Sequence, residues 1–149
     1  MTENKGHCNF LFHTFVLIMK DKTIIGRREF IDLPELHLYN IEAKIDTGAY
    51  TSALHCEKIE LQNSQLCIKV FNDSPWICFD NFEKRFIKNT SGIGEERFVI
   101  KTLIIIGKRK IRSDLSLTNR AEMKYPVLLG RKFLKGKFIV DVEKVYLTR

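Results

Sequence analysis

The chain has 149 residues, of which 44% are hydrophobic and 29% charged, with a net charge of +7. That length suits one domain with a real core and is too short for two substantial ones, and the composition excludes a disordered chain. The positive charge fits either an acidic partner or a generally basic surface; scattered Lys and Arg read as solvated surface, so no direct nucleic-acid binding is expected.

Residues 1–22 are read as an N-terminal extension outside the main fold, and residues 23–149 as a single domain. Within the extension, Cys8 to Met19 is mostly apolar and follows Lys5, like a short signal-peptide core, which leaves export open. It nevertheless holds His13 and Thr14, lacks a small-x-small cleavage site and falls short of the ~20 residues a helix needs to cross a bilayer. No membrane span is expected, and Met19 is a second plausible start.

From residue 23 the pattern is of short strands separated by turns. Strands are expected at 23–29, 40–46, 51–54, 66–71, 76–79, 85–88, 97–106, 110–117, 127–129, 138–141 and 145–147, with one short C-terminal helical turn at 132–135. This is an all-β pattern and predicts a closed β-barrel. The β-branched run from Phe98 to Ile106 predicts a strand buried on much of both faces. Lys108-Arg109-Lys110, after Gly107, reads as a hairpin tip.

The strand at 40–46 ends in Asp46-Thr47-Gly48. A strand that delivers a carboxylate into a tight turn, with a hydroxyl beside it and a glycine leaving room for a second backbone, is what an acid-protease half-site requires. Peptide hydrolysis by paired aspartates needs two carboxyls about 3 Å apart sharing one proton. The chain holds one such tripeptide and no internal repeat, so a second copy must supply the other.

Two later loops stand apart. Between strands, residues 89–95 place Ile93 between Gly92 and Gly94, a hairpin tip able to bend over a cleft. Leu128-Leu129-Gly130-Arg131 follows Pro126, and Gly130 permits close approach to another strand. Cys8, Cys56, Cys67 and Cys78 form no Cys-x-x-Cys pair and are read as reduced, small apolar fillers suited to the cytoplasm. There is no zinc signature and no nucleotide loop, so neither metal nor cofactor is expected. His55 beside Cys56 is read as structural, since neighbours in a strand point to opposite faces.

In order, Asp46-Thr47-Gly48-Ala49, a glycine-containing flap-like tip, and Val127-Leu128-Leu129-Gly130-Arg131 before a helical turn resemble the retropepsin-like family of aspartic peptidases. More closely, Ile45 to His55 and Leu117 through Arg131 resemble bacterial proteins labelled ATP-dependent zinc proteases, over a region from about Ile24 to the C-terminus. The resemblance implies a barrel of the acid-protease type, Asp46 as the catalytic residue, Thr47, Gly48 and Ala49 as turn support, Gly92, Ile93 and Gly94 as flap, and Leu128, Leu129 and Gly130 beneath the turn. Tyr50 stands where retroviral enzymes commonly carry an acidic residue, so Arg131 needs another partner or solvent. Some members are associated with an ATP-grasp ligase that adds glutamates to a ribosomal protein, which makes an acidic or glutamate-extended peptide or protein a natural substrate to expect.

The resulting expectation is a cytoplasmic aspartic endopeptidase acting through an Asp46 dyad across a homodimer. The alternatives are a non-catalytic retropepsin-like binding domain, or a zinc peptidase using His55 and nearby acidic residues, as the family label suggests.

Overall fold

The computed structural model describes Leu11, residues 21–89 and residues 91–149. Apart from Leu11, the apolar stretch 8–19 and its signal-like reading lie outside the described residues. The strands are β1 (Thr23–Gly26), β2 (Arg28–Leu33), β3 (Leu38–Ile45), β4 (Ala53–His55), β5 (Lys58–Gln62), β6 (Gln65–Lys69), β7 (Ile77–Phe79), β8 (Glu83–Lys88), β9 (Gly94–Ile106), β10 (Arg109–Thr118), β11 (Val127–Leu129) and β12 (Phe138–Asp141). A 3-10 turn spans Pro34–Leu36, and the helical turn α1 spans Arg131–Leu134. The molecule is mostly β-sheet, as the alternating pattern predicts.

The main sheet runs β10-β4-β11-β3-β2-β9-β8, and β9 also pairs with β10, so the pairings return on themselves around an apolar interior. Ile31, Leu54, Ile104, Leu115, Val127 and Leu129 are among the residues closed off inside. In β9 burial alternates: Ile100, Thr102, Ile104 and Ile106 face the core, whereas Leu103 and Ile105 are only half-buried. The run is thus less enclosed than its β-branched sequence predicts, because Lys101 marks a face that stays open to solvent.

Several boundaries differ from the sequence expectation for local reasons. The strand expected at 23–29 is two strands, because the chain breaks at Arg27, whose N–H turns to the Lys144 carbonyl at 2.9 Å. β1 then pairs in parallel with β12 while β2 pairs with β3. Lys58–Gln62 is a strand the pattern misses; it forms a hairpin with β6 through Asn63-Ser64, both at positive φ, as a two-residue hairpin turn demands. The strand expected at 145–147 is absent. That segment is held instead by Glu29, fully buried, whose carboxylate accepts the N–H groups of Gly26 (2.7 Å), Leu147 (3.0 Å) and Thr148 (3.1 Å) and the Thr148 hydroxyl (2.9 Å).

The cysteine reading also needs correction. β5, β6 and β7 form a separate three-stranded sheet in which Cys67 and Cys78 face each other across the ladder and are joined by a disulfide. They are a covalent staple rather than two free apolar fillers. Cys56 is the free, buried thiol among the described residues, and burial pushes its pKa up to about 12. Among the described residues, no helix is long and apolar enough to cross a membrane.

Candidate active site

Asp46 follows the last residue of β3, where the chain leaves the sheet, turns through residues 46–52 and returns as β4. β11 is inserted between these two strands, parallel to β3 and antiparallel to β4. The insertion fixes the turn at both ends, since the Asp46 N–H donates to the Leu129 carbonyl at 2.9 Å and the His55 N–H to the Pro126 carbonyl at 2.8 Å. Within the turn, the Gly48 N–H donates to Asp46 Oδ1 (3.2 Å) and the Ala49 N–H to the Asp46 carbonyl (3.2 Å). The half-exposed carboxyl is therefore aimed by its own turn and faces open space.

Leu128 and Leu129 belong to β11, and Gly130, which follows them, packs against the backbone of Ala49 and Thr51 in this turn. Gly130 has an ordinary φ of −89°, so its smallness serves space rather than backbone freedom. A Cβ there would sit 2.7 Å from the Thr51 oxygen and 2.9 Å from the Ala49 oxygen. The close approach lets the Arg131 N–H reach the Ala49 carbonyl (2.8 Å) and the Lys132 N–H reach the Tyr50 carbonyl (3.0 Å). Arg131 finds the partner that its sequence context left open: its guanidinium donates to the Thr47 carbonyl at 3.0 Å and lies 5.9 Å from the Tyr50 ring centroid. The Thr47 side chain is exposed; among the described residues it is the Thr47 backbone that braces the turn.

The turn opens on a cleft of about 880 Å³. Asp46, Gly48, Ala49 and Leu128 line its floor, and residues 85–89 with Arg97 line a wall formed by the β8–β9 hairpin. At the tip of that hairpin Gly92 adopts φ +82° and Ile93 is 72% exposed, and Gly92, Ile93 and Gly94 are not among the residues that line the cleft. Gly94 is packed against its own hairpin, a Cβ there meeting the Phe86 ring at 2.4 Å. The cleft is cationic, with Arg85, Lys88, Arg97, Arg120, Arg131 and Lys132 around Asp46 and Asp114.

A family model described as RimB-like, retropepsin-like aspartic endopeptidase RimB, matches residues 24–149. The chain belongs to this family. Curated relatives of the RimB-like chain include a probable alpha-L-glutamate ligase from Parasynechococcus marenigrum, 36% identical over an alignment that covers 84% of this chain and 29% of the relative. Another, from Shewanella pealeana and of the same name, is 31% identical over 81% of this chain and 29% of its own length. The chain thus spans less than a third of these longer proteins. Among solved structures, that of a Legionella pneumophila protein with unknown function (DUF785) superposes with a TM-score of 0.65 at 28% identity, covering 85% of this chain and 98% of the other.

Three features of the RimB-like site are not legible as motifs. Ser52 is buried, accepts the Gly130 N–H on its hydroxyl at 3.0 Å, and offers its carbonyl to both the N–H and the hydroxyl of Ser116, each at 3.0 Å. Asp114, on β10, takes Arg85 at 2.9 Å and Lys132 at 3.0 Å. Burial pushes its carboxyl up, but these two hydrogen-bonded cations outweigh burial and hold it below the usual carboxylate range. Glu95 pairs with Arg97 and with Arg120, and Arg97 above all lowers its pKa. A hydroxyl at the end of the turn is the only sequence signal for Ser52; apart from Glu95–Arg97, the ion pairs join residues well separated in sequence.

The described residues do not bring a zinc site together. His55 contacts Glu57 at 3.4 Å, its Nδ1 is buried without a hydrogen-bond partner, and among the described residues no group of three or more His, Cys, Asp or Glu is placed to hold a metal.

Proposed function

We propose that the chain is an aspartic endopeptidase in which Asp46 from each of two copies meets across a homodimer axis. One carboxylate takes a proton from water as its oxygen attacks the scissile carbonyl, and the other, protonated, gives its proton to the carbonyl oxygen. Collapse of the tetrahedral intermediate then returns a proton to the leaving nitrogen. The observation that carries this reading is the placement of Asp46 on the floor of a cleft walled by a hairpin, with Gly48 donating to its Oδ1. In the same reading, residues 23–149 form one domain whose strand ring is a closed acid-protease barrel.

For substrate, we favour an acidic or glutamate-extended peptide. The cationic lining of the cleft and the ligase names of the longer relatives support it, since a ligase that joins glutamates makes the bonds such a peptidase would cut. Asp46→Asn tests the mechanism: the variant should keep its circular-dichroism spectrum and sedimentation behaviour yet lose cleavage of glutamate-extended peptides. Full activity in that variant would falsify the role of Asp46. A non-catalytic binding domain would instead bind these peptides without cleaving them in either form.

A further inference from the structure

We propose that Asp114 is a positioning residue that latches the flap hairpin over the cleft, gripping Arg85 of the flap and Lys132 of α1 on one carboxylate oxygen. Its kinetic consequence rests on the peptidase reading above; the latch itself rests on geometry alone. β8 stands at the end of the main sheet and its ladder partner is β9, so side chains must supply whatever else fixes the hairpin. At Val99, β9 pairs with Glu83 of β8 on one edge and with Ser116 of β10 on the other. Arg85 therefore reaches across β9 to meet Asp114.

Both bonds converge on Asp114 Oδ2, from Arg85 at 2.9 Å and Lys132 at 3.0 Å. The carboxylate side chain is only 16% exposed, against 38% for Arg85 and 48% for Lys132, so it is the sheltered hub and the cations are its movable partners. Glu83 holds the same guanidinium at 2.6 Å and keeps it oriented. Lys132 belongs to the segment whose backbone supports the Asp46 turn. One carboxylate thus ties the hairpin wall of the cleft to the segment that supports the Asp46 turn.

A second cavity of about 360 Å³ lies at the root of the hairpin, and Arg85, Val99 and Asp114 line both it and the main cleft. The ion pair therefore stands in the partition between them. An apolar pair in this place would pack as stably, whereas an ion pair reaching solvent can open and re-form as the hairpin lifts.

Amide hydrogen exchange on the whole protein tests the latch, comparing wild type with Asp114→Asn, Arg85→Met, Lys132→Met and the Asp114→Asn/Arg85→Met double variant. Asp114→Asn and Arg85→Met should each speed exchange in residues 83–98 by roughly three- to tenfold, the double variant no more than either, and Lys132→Met less. Asp114→Glu should restore protection. With a glutamate-extended peptide, KM should rise by a similar factor while kcat stays within about twofold. Unchanged flap exchange in Arg85→Met, or loosening spread equally over β10 and α1, overturns the latch. Absence of peptide cleavage by wild type would sink the peptidase reading, while the exchange pattern still decides the latch.

Discussion

Replacing Gly130 by alanine adds one methyl group at the point where the chain leaving β11 passes beneath the Asp46 turn. That carbon would lie 2.7 and 2.8 Å from the oxygen and carbon of the Thr51 carbonyl and 2.9 Å from the Ala49 oxygen, well inside the ~3.5 Å at which non-bonded atoms begin to attract. All three are backbone atoms, so relief requires moving the turn. Overpacking of this kind costs about 1–3 kcal/mol. Displacing the turn also weakens the bonds from Gly130 to Ser52, Arg131 to Ala49 and Lys132 to Tyr50, at about 1 kcal/mol for each one lost. The expected loss is about 3–5 kcal/mol, or roughly 6–20 °C in Tm for a domain of this size. Urea and thermal denaturation followed by circular dichroism measure it. Gly136→Ala is the control: it has open space for a Cβ and a strained φ of +77°, so it should cost only about 1–2 kcal/mol. A Gly130→Ala variant within about 1 kcal/mol of wild type would refute the idea that close approach sets this residue.

Two further expectations concern the cysteines. Cys56, buried and with its pKa pushed up to about 12, should resist iodoacetamide at pH 8 in the folded protein and react on unfolding. Because the folded state holds this proton more tightly than the unfolded chain, the stability it confers is complete below about pH 9 and falls as pH rises toward 12; Cys56→Ala should flatten that alkaline decline in urea titrations. The Cys67–Cys78 bridge closes a loop with a sequence separation of 11, worth about 2–3 kcal/mol on chain-entropy grounds, so reduction should lower Tm by several degrees. An unchanged melting curve in reductant would remove the bridge from the account.

The parts of the site that can be read from sequence are those made by local constraints. Asp46 sits where a strand becomes a turn and Gly92 where a hairpin must reverse, requirements that neighbouring residues impose; Gly130 signals a close approach, but the Ala49 and Thr51 carbonyls that make it lie far upstream. Arg131 shows where such reading ends, because its partners, the Thr47 carbonyl and the Tyr50 ring, lie more than eighty positions upstream. The same holds for Asp114, which is unremarkable on β10 until folding brings Arg85 and Lys132 to it. β5 is hidden from the sequence pattern because Asn63-Ser64 takes the left-handed turn without a glycine to announce it. The cysteine pair is not legible in sequence because directly opposed positions on adjacent strands depend on register rather than on spacing along the chain.

The chain end illustrates how few atoms can decide where a segment lies. Glu29 offers two oxygens to four donors, three backbone N–H groups and one hydroxyl, and three of those donors belong to Leu147 and Thr148. An amide of the same shape could accept on one atom only and would turn its own NH₂ toward two groups that also donate. Even glutamine, the nearest isostere, is therefore the wrong valence for this position. The tail is held by a count of lone pairs, and its docking is as specific to a carboxylate as the binding of a small molecule would be.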